Sequence, residues 1–143
     1  MAQLSPYLTF NGNCEEAFNY YKSIFGGKFA SVSRFKDMPP MPGFEIDPKY
    51  GDRIMNMALP ISKEVALMGS DGNPNFGKVP FGKNVTLSVV ADSKEQADKF
   101  FNGLAKNGKI EMPIADAFWG SYFGMAEDQF GVNWMVSFEY PKK

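Results

Sequence analysis

The chain has 143 residues, 44% of them hydrophobic, enough for one compact domain with a substantial core. A formal net charge of −1 supplies no basic field for nucleic acid, and no lysine or arginine cluster interleaves with the aromatics as single-strand binding requires. Histidine is absent, which removes Ser-His-Asp and Cys-His catalysis in their usual forms and the commonest ligand of zinc, copper, nickel and non-haem iron.

In chain order, Ser5 to Asn11 alternates apolar and polar residues and ends at Asn11-Gly12, the pattern of a strand. A helix follows. Asn13 is a suitable N-cap with Glu16 three residues on, so the two are expected to form a capping box. Ala17, Phe18, Tyr21, Ile24 and Phe25 recur at helical spacing, and Gly26-Gly27 supplies the stop. Lys28 to Phe35 reads as a second strand. From Lys36 to Tyr50 the prolines forbid a regular ladder, and Met38, Met41 and Phe44 point to an adaptable apolar lid or partner contact.

Asp52 to Pro60 and Lys63 to Gly69 read as a hairpin turning at Pro60 to Ser62, and Ser70 to Gly82, rich in glycine, proline and asparagine, is the best linker. The series then repeats. Lys83 to Ala91 is a strand, and Ser93 with Gln96 forms a second capping box. Ala97, Phe100, Phe101 and Leu104 define a second helix stopped at Asn107-Gly108, and Ile110 to Ile114 is a short strand.

The stretch from Asp116 to Phe138 reads as an aromatic hairpin, Trp119 to Ala126 and Val132 to Phe138, turning through Glu127-Asp128-Gln129 and closed by Gly131. Phe123, Met125, Trp134 and Val136 are its expected core. Trp119 and Tyr122 carry polar tips that need partners, so they are candidates for a pocket wall. No apolar run approaches the roughly 20 residues that cross a bilayer, no charged-then-apolar leader opens the chain, and Cys14 alone excludes an internal disulfide. These features lead to the expectation of a soluble, cytoplasmic protein without membrane or nucleic-acid partners.

Three stretches carry a family resemblance: Tyr7-Leu-Thr-Phe-Asn-Gly-Asn-Cys-Glu-Glu-Ala-Phe, Tyr20-Tyr21 through Phe25-Gly26-Gly27, and Phe118-Trp119-Gly120 through Phe130-Gly131-Val132-Asn133-Trp134-Met135-Val136. Together they resemble the PhnB-like branch of the vicinal oxygen chelate superfamily, which includes glyoxalase I, the fosfomycin and bleomycin resistance proteins and extradiol dioxygenases. The resemblance implies an α+β fold of two βαβββ modules whose sheets curl into a cup with the site inside, and a homodimer. The modules would be residues 1–72 and 83–143, joined by a linker at 73–82. Some PhnB-like chains are labelled demethylubiquinone methyltransferases, but no glycine-rich strand-to-helix loop suited to a nucleoside cofactor is visible here.

The superfamily's divalent metal is held by side chains of the first and last strands of each module. Here those positions fall on Tyr7, on Asn84 or Thr86, and near Trp134 or Met135, none a histidine or glutamate. Asn56 stands where many PhnB-like chains carry histidine. Glu64, Glu127 and Asp128 fall at strand starts or turns and are expected to be solvated. Arg34 and Arg53, the only arginines, read as solvated strand-edge charges, and Cys14 as a packing or surface residue.

The expectation is therefore a small-molecule binding protein without metal or other cofactor. Its apolar or aromatic ligand would be bound by Tyr7, Asn56, Asn84, Trp119, Tyr122 and Trp134. The alternatives are a lyase, isomerase or dioxygenase with atypical metal ligands, and a structural or partner-binding dimer. No catalytic residue is assigned.

Overall fold

In the first unit of the chain, Met1–Pro80, the strand-helix alternation reads out as β1 (Tyr7–Phe10), α1 (Cys14–Phe25), β2 (Ser31–Arg34), β3 (Ile54–Pro60) and β4 (Ala66–Asp71). The structure is a computed structural model that describes residues 2–39, 42 and 45–141. The four strands hydrogen-bond in the order β1-β4-β3-β2, with β1 parallel to β4 and the other neighbours antiparallel. A parallel pair needs a long crossover, and α1 lies on that path.

The apolar stripe of α1 is buried as its spacing requires, through Ala17, Phe18, Tyr21 and Ile24. Phe18 meets Phe10 and Tyr21 edge to face, with ring centroids 6.2 and 5.8 Å apart. Gly69 on β4 makes room for that ring: a Cβ there would stand 2.7 Å from Phe18 and 2.8 Å from the Leu8 carbonyl oxygen.

The expected Asn13–Glu16 capping box does not form, because Asn13 makes no side-chain cap bond. Asp71, at the end of β4 and 3% exposed, takes its place. One carboxylate oxygen accepts from the amides of Gly12 (2.8 Å) and Cys14 (2.9 Å), and the other accepts from Ile54 (2.9 Å). A full negative charge at the positive end of the helix outcompetes a neutral amide for those donors. The other end behaves as read, with Gly26 and Gly27 at φ 81 and 84°.

β2 is shorter than expected because Phe35–Asp37 leaves the strand as a short 3-10 turn, and Pro48–Tyr50 forms a second. Of the apolar cover expected in this loop, Met38 is half-buried, while Met41 and Phe44 lie outside the described residues. The β3–β4 turn runs through Ile61 to Val65 instead of Pro60 to Ser62: the amides of Ile61 and Ser62 both donate to the Val65 carbonyl. Ser70 and Asp71 belong to β4 and not to the linker. Neither arginine is a simple solvated charge. Arg34 makes a two-pronged pair with Glu15 (3.1 and 2.5 Å), and Arg53 lies 4.6 Å over the Tyr50 ring and against Gly12.

The second unit, Phe81–Lys143, repeats this topology: β5 (Leu87–Val90), α2 (Lys94–Ala105), β6 (Lys109–Asp116), β7 (Ser121–Glu127) and β8 (Asn133–Glu139), hydrogen-bonded as β5-β8-β7-β6. The Ser93 hydroxyl accepts from the Gln96 amide (3.0 Å), while the Gln96 side chain reaches past Ser93 to the Asp92 amide (2.7 Å). α2 buries Ala97, Phe100, Phe101 and Leu104. β6 extends beyond Ile110 to Ile114. As an edge strand with register shifts on both sides of Met112, it accommodates Pro113.

The expected core of the aromatic hairpin is half right. Trp134 and Val136 are buried, but Phe123 and Met125 face away from α2. Gly124 and Ala126 take the helix-side positions, paired with Val136 and Trp134, and a Cβ on Gly124 would stand 2.7 Å from Phe101. The bulk under the helix comes from the helix, so the strand opposite must be small. β7 also starts two residues after Trp119, beyond Gly120 at φ 93°.

Candidate functional site

Each sheet packs one face on its own helix, and strand alternation assigns the opposite face, open in that this helix does not cover it, although Ala58 and Ser70 at its centre in the first unit are buried. In the first unit the register lays Tyr7, Met68, Ala58 and Ser31 in one row across four strands. The next row pairs Thr9 with Ser70 and Asn56 with Ser33. Asn56 and Ser70 stand one step beyond the Met57–Gly69 pair, which closes the row. Neither row contains a charged side chain. The Asn56 Oδ1 is buried and accepts no hydrogen bond from another described residue, a condition the Ser121 Oγ of the second unit shares, and a buried amide oxygen is costly unless water or a ligand supplies the donor.

In the second unit the open face has a different character. One row runs Ser88, Met135, Met125 and Met112, and the next runs Val90, Ser137, Phe123 and Ala115. Trp119 packs edge-on against Phe123 with centroids 5.3 Å apart, and Phe118 against Trp119 at 5.0 Å. Beside the methionine row lies a hollow of about 180 Å³, lined by Lys83, Thr86, Glu111, Met125, Asn133 and the wall of Trp134. Lys83 is paired with Glu111 at 3.1 Å. The Asn133 amide nitrogen donates to the carbonyls of Gly82 (3.0 Å) and Val85 (3.5 Å).

Within each unit the expected ligand residues take different places. Tyr7, 49% exposed, and Asn56 occupy adjacent rows of the first open face. Trp119, 53% exposed, caps the aromatic end of the second open face, and Asn84 lies exposed in the loop before β5. Tyr122 is on the helix side: its hydroxyl donates to Asp98 of α2 at 2.5 Å, and the Lys94 ammonium sits 4.7 Å over its ring. That hydrogen bond, then burial and the Asp98 charge, push its pKa up to about 12. Trp134 is buried, and its indole N–H donates to Asp128 at 2.8 Å.

Asp128 is not solvated as its turn position implied. At 2% exposure it also accepts from the amides of Phe130 and Val132, fixing the β7–β8 turn. Sequence reasoning did not single out Thr9, Ser33 and Ser70, nor Lys83 and Glu111. The hydroxyls alternate with apolar neighbours in each strand, a signal that was present, whereas the Lys83–Glu111 pair joins residues 28 apart and left none.

The superfamily's metal site has no counterpart in the donor chemistry of these residues. Tyr7, Asn84 or Thr86, and Trp134 or Met135 offer a phenol, an amide or hydroxyl, and an indole or thioether, with neither the carboxylates that magnesium, calcium or manganese prefers nor the imidazoles that suit zinc, copper, nickel or iron. Among the described residues no group of three or more His, Cys, Asp or Glu side chains is placed to hold a metal ion. This donor set does not fit the superfamily's divalent metal.

Residues 3–136 match the glyoxalase/bleomycin resistance protein/dioxygenase superfamily. The chain is 34% identical over 139 residues to protein YjdN of Escherichia coli K12, covering 94% of this chain and 93% of that one. Its fold is similar to that of PA1353 from Pseudomonas aeruginosa, with TM-score 0.84 and 39% identity over 97% and 98% of the two chains. It is also similar to the PhnB protein from Bacillus cereus, with TM-score 0.75 and 25% identity over 96% and 99%. Two four-stranded mixed sheets, each with its helix, are the shared α+β architecture.

Proposed function

The chain belongs to the glyoxalase/bleomycin resistance protein/dioxygenase superfamily, and from that premise we propose that it is a PhnB-like small-molecule binding protein that takes its ligand on an open sheet face without a metal. The observation that carries this reading is the buried Asn56 Oδ1, unpaired among the described residues, paired in register with Ser33 and one step beyond the Met57–Gly69 pair from Ser70, itself paired with Thr9. A buried acceptor left open is retained at a loss of stability, which function explains better than packing does. Tyr7 and Met68 beside it offer an aromatic and an adaptable apolar wall.

The test is a thermal-shift screen of chelator-treated protein against neutral aromatic and oxygenated compounds and, separately, magnesium, manganese, calcium and zinc. Ligand binding to the native state raises the unfolding temperature by mass action. The reading expects an upshift with an uncharged compound and none with metal. An upshift specific to one metal and reversed by chelator would contradict it.

A further inference from the structure

We infer that the hollow beside β8 binds the polar end of a neutral molecule that donates an N–H, such as an aromatic amide or lactam, while the rest lies on the methionine row. The inference rests on the small-molecule reading above and adds a ligand class and a location within the second unit.

The groups left free around the hollow set what it can take. Lys83 and Glu111 neutralise each other across the rim, and Glu127, Asn133's partner across β7 and β8, is opposed in register by Lys109. The rim therefore offers no net charge to a carboxylate or an ammonium. The Asn133 amide nitrogen donates to Gly82 at 3.0 Å and, at the 3.5 Å limit, to Val85, so toward a ligand the side chain's remaining capacity is its Oδ1, an acceptor. Thr86 adds a hydroxyl that serves either role. Met125 lines the hollow and continues through Met135 and Met112 into a soft, polarisable floor that suits a flat apolar body. At about 180 Å³ the hollow lies below the roughly 300–1,000 Å³ of drug-sized sites, so its occupant is small.

The experiment uses the whole chain with 13C-methyl-labelled methionine, titrated with benzamide, benzoate and acetophenone, three probes of nearly one shape. Benzamide should move the Met125 and Met135 methyl signals saturably, with benzoate and acetophenone at least about tenfold weaker, since each lacks the neutral N–H donor. Thr86→Val should weaken benzamide several-fold without changing the unfolding temperature. Benzoate binding as tightly as benzamide would overturn the inference, because Lys83 would then be available to an anion. Benzamide shifting Met68 but not Met125 would overturn the hollow while leaving the small-molecule reading intact. Silence of every methionine methyl, with no thermal shift from the wider panel, would contradict both.

Discussion

Asp71 shows how much of this fold hangs on single polar groups. Its carboxylate holds the amides of Gly12, Cys14 and Ile54, tying the start of α1 to two strands. Asp71→Ala would leave buried donors unpaired at about 1–3 kcal/mol each, so urea unfolding should register a loss of roughly 3 kcal/mol or more. Cys14 lies beside it, and burial, then the charges of Asp71 and Glu15, push its thiol far above the usual range. It should resist iodoacetamide at about pH 8 in the native protein and react once unfolded, as mass spectrometry would show. Tyr122 gives a pH signature. Its native pKa of about 12 exceeds the ordinary 10.0, so the folded state keeps a proton that the unfolded state releases between those values. The stability it contributes is complete below about pH 10 and falls as pH climbs toward about 12; Tyr122→Phe should flatten that slope in denaturant melts at about pH 9 and about pH 11.

At the scale of elements, the two units solve helix docking alike. Phe18 of α1 is seated over Gly69, and Phe101 of α2 over Gly124, with space in neither case for a Cβ. Gly69→Ala and Gly124→Ala should each destabilise by about 1–3 kcal/mol in equilibrium unfolding, with the m-value unchanged. The helices were legible because their period, their buried positions and their glycine or Asn-Gly stops all lie within a dozen residues. The cap of α1 was not, since Asp71 comes from 57 residues away and displaces the local candidate Asn13. The facing of β7 was not either. Alternation shows that Phe123 and Met125 share a face but not which face the helix covers, and the small pair Gly124 and Ala126 was the cue that decided it. Of the site, Tyr7 and Asn56 were legible as strand residues with polar ends, whereas the transverse Thr9, Ser70, Asn56 and Ser33 row exists only once register is known.

At the scale of the molecule, a repeated topology carries two unlike open faces, neutral and hydroxyl-rich in the first unit, methionine-rich and aromatic in the second. Duplicated architecture with divergent faces fits a family in which the fold persists while the chemistry on it changes. On this reading Asn56 is kept for a ligand and not for the fold. Its most direct test is the unfolding temperature of Asn56→Leu beside the unaltered chain, both chelator-treated and without added ligand. Replacing an unpartnered buried amide with an apolar side chain of similar volume should raise stability by about 1 kcal/mol. A clear loss of stability would mean that Asn56 is a structural residue, and the account of the first open face as a binding site would fail.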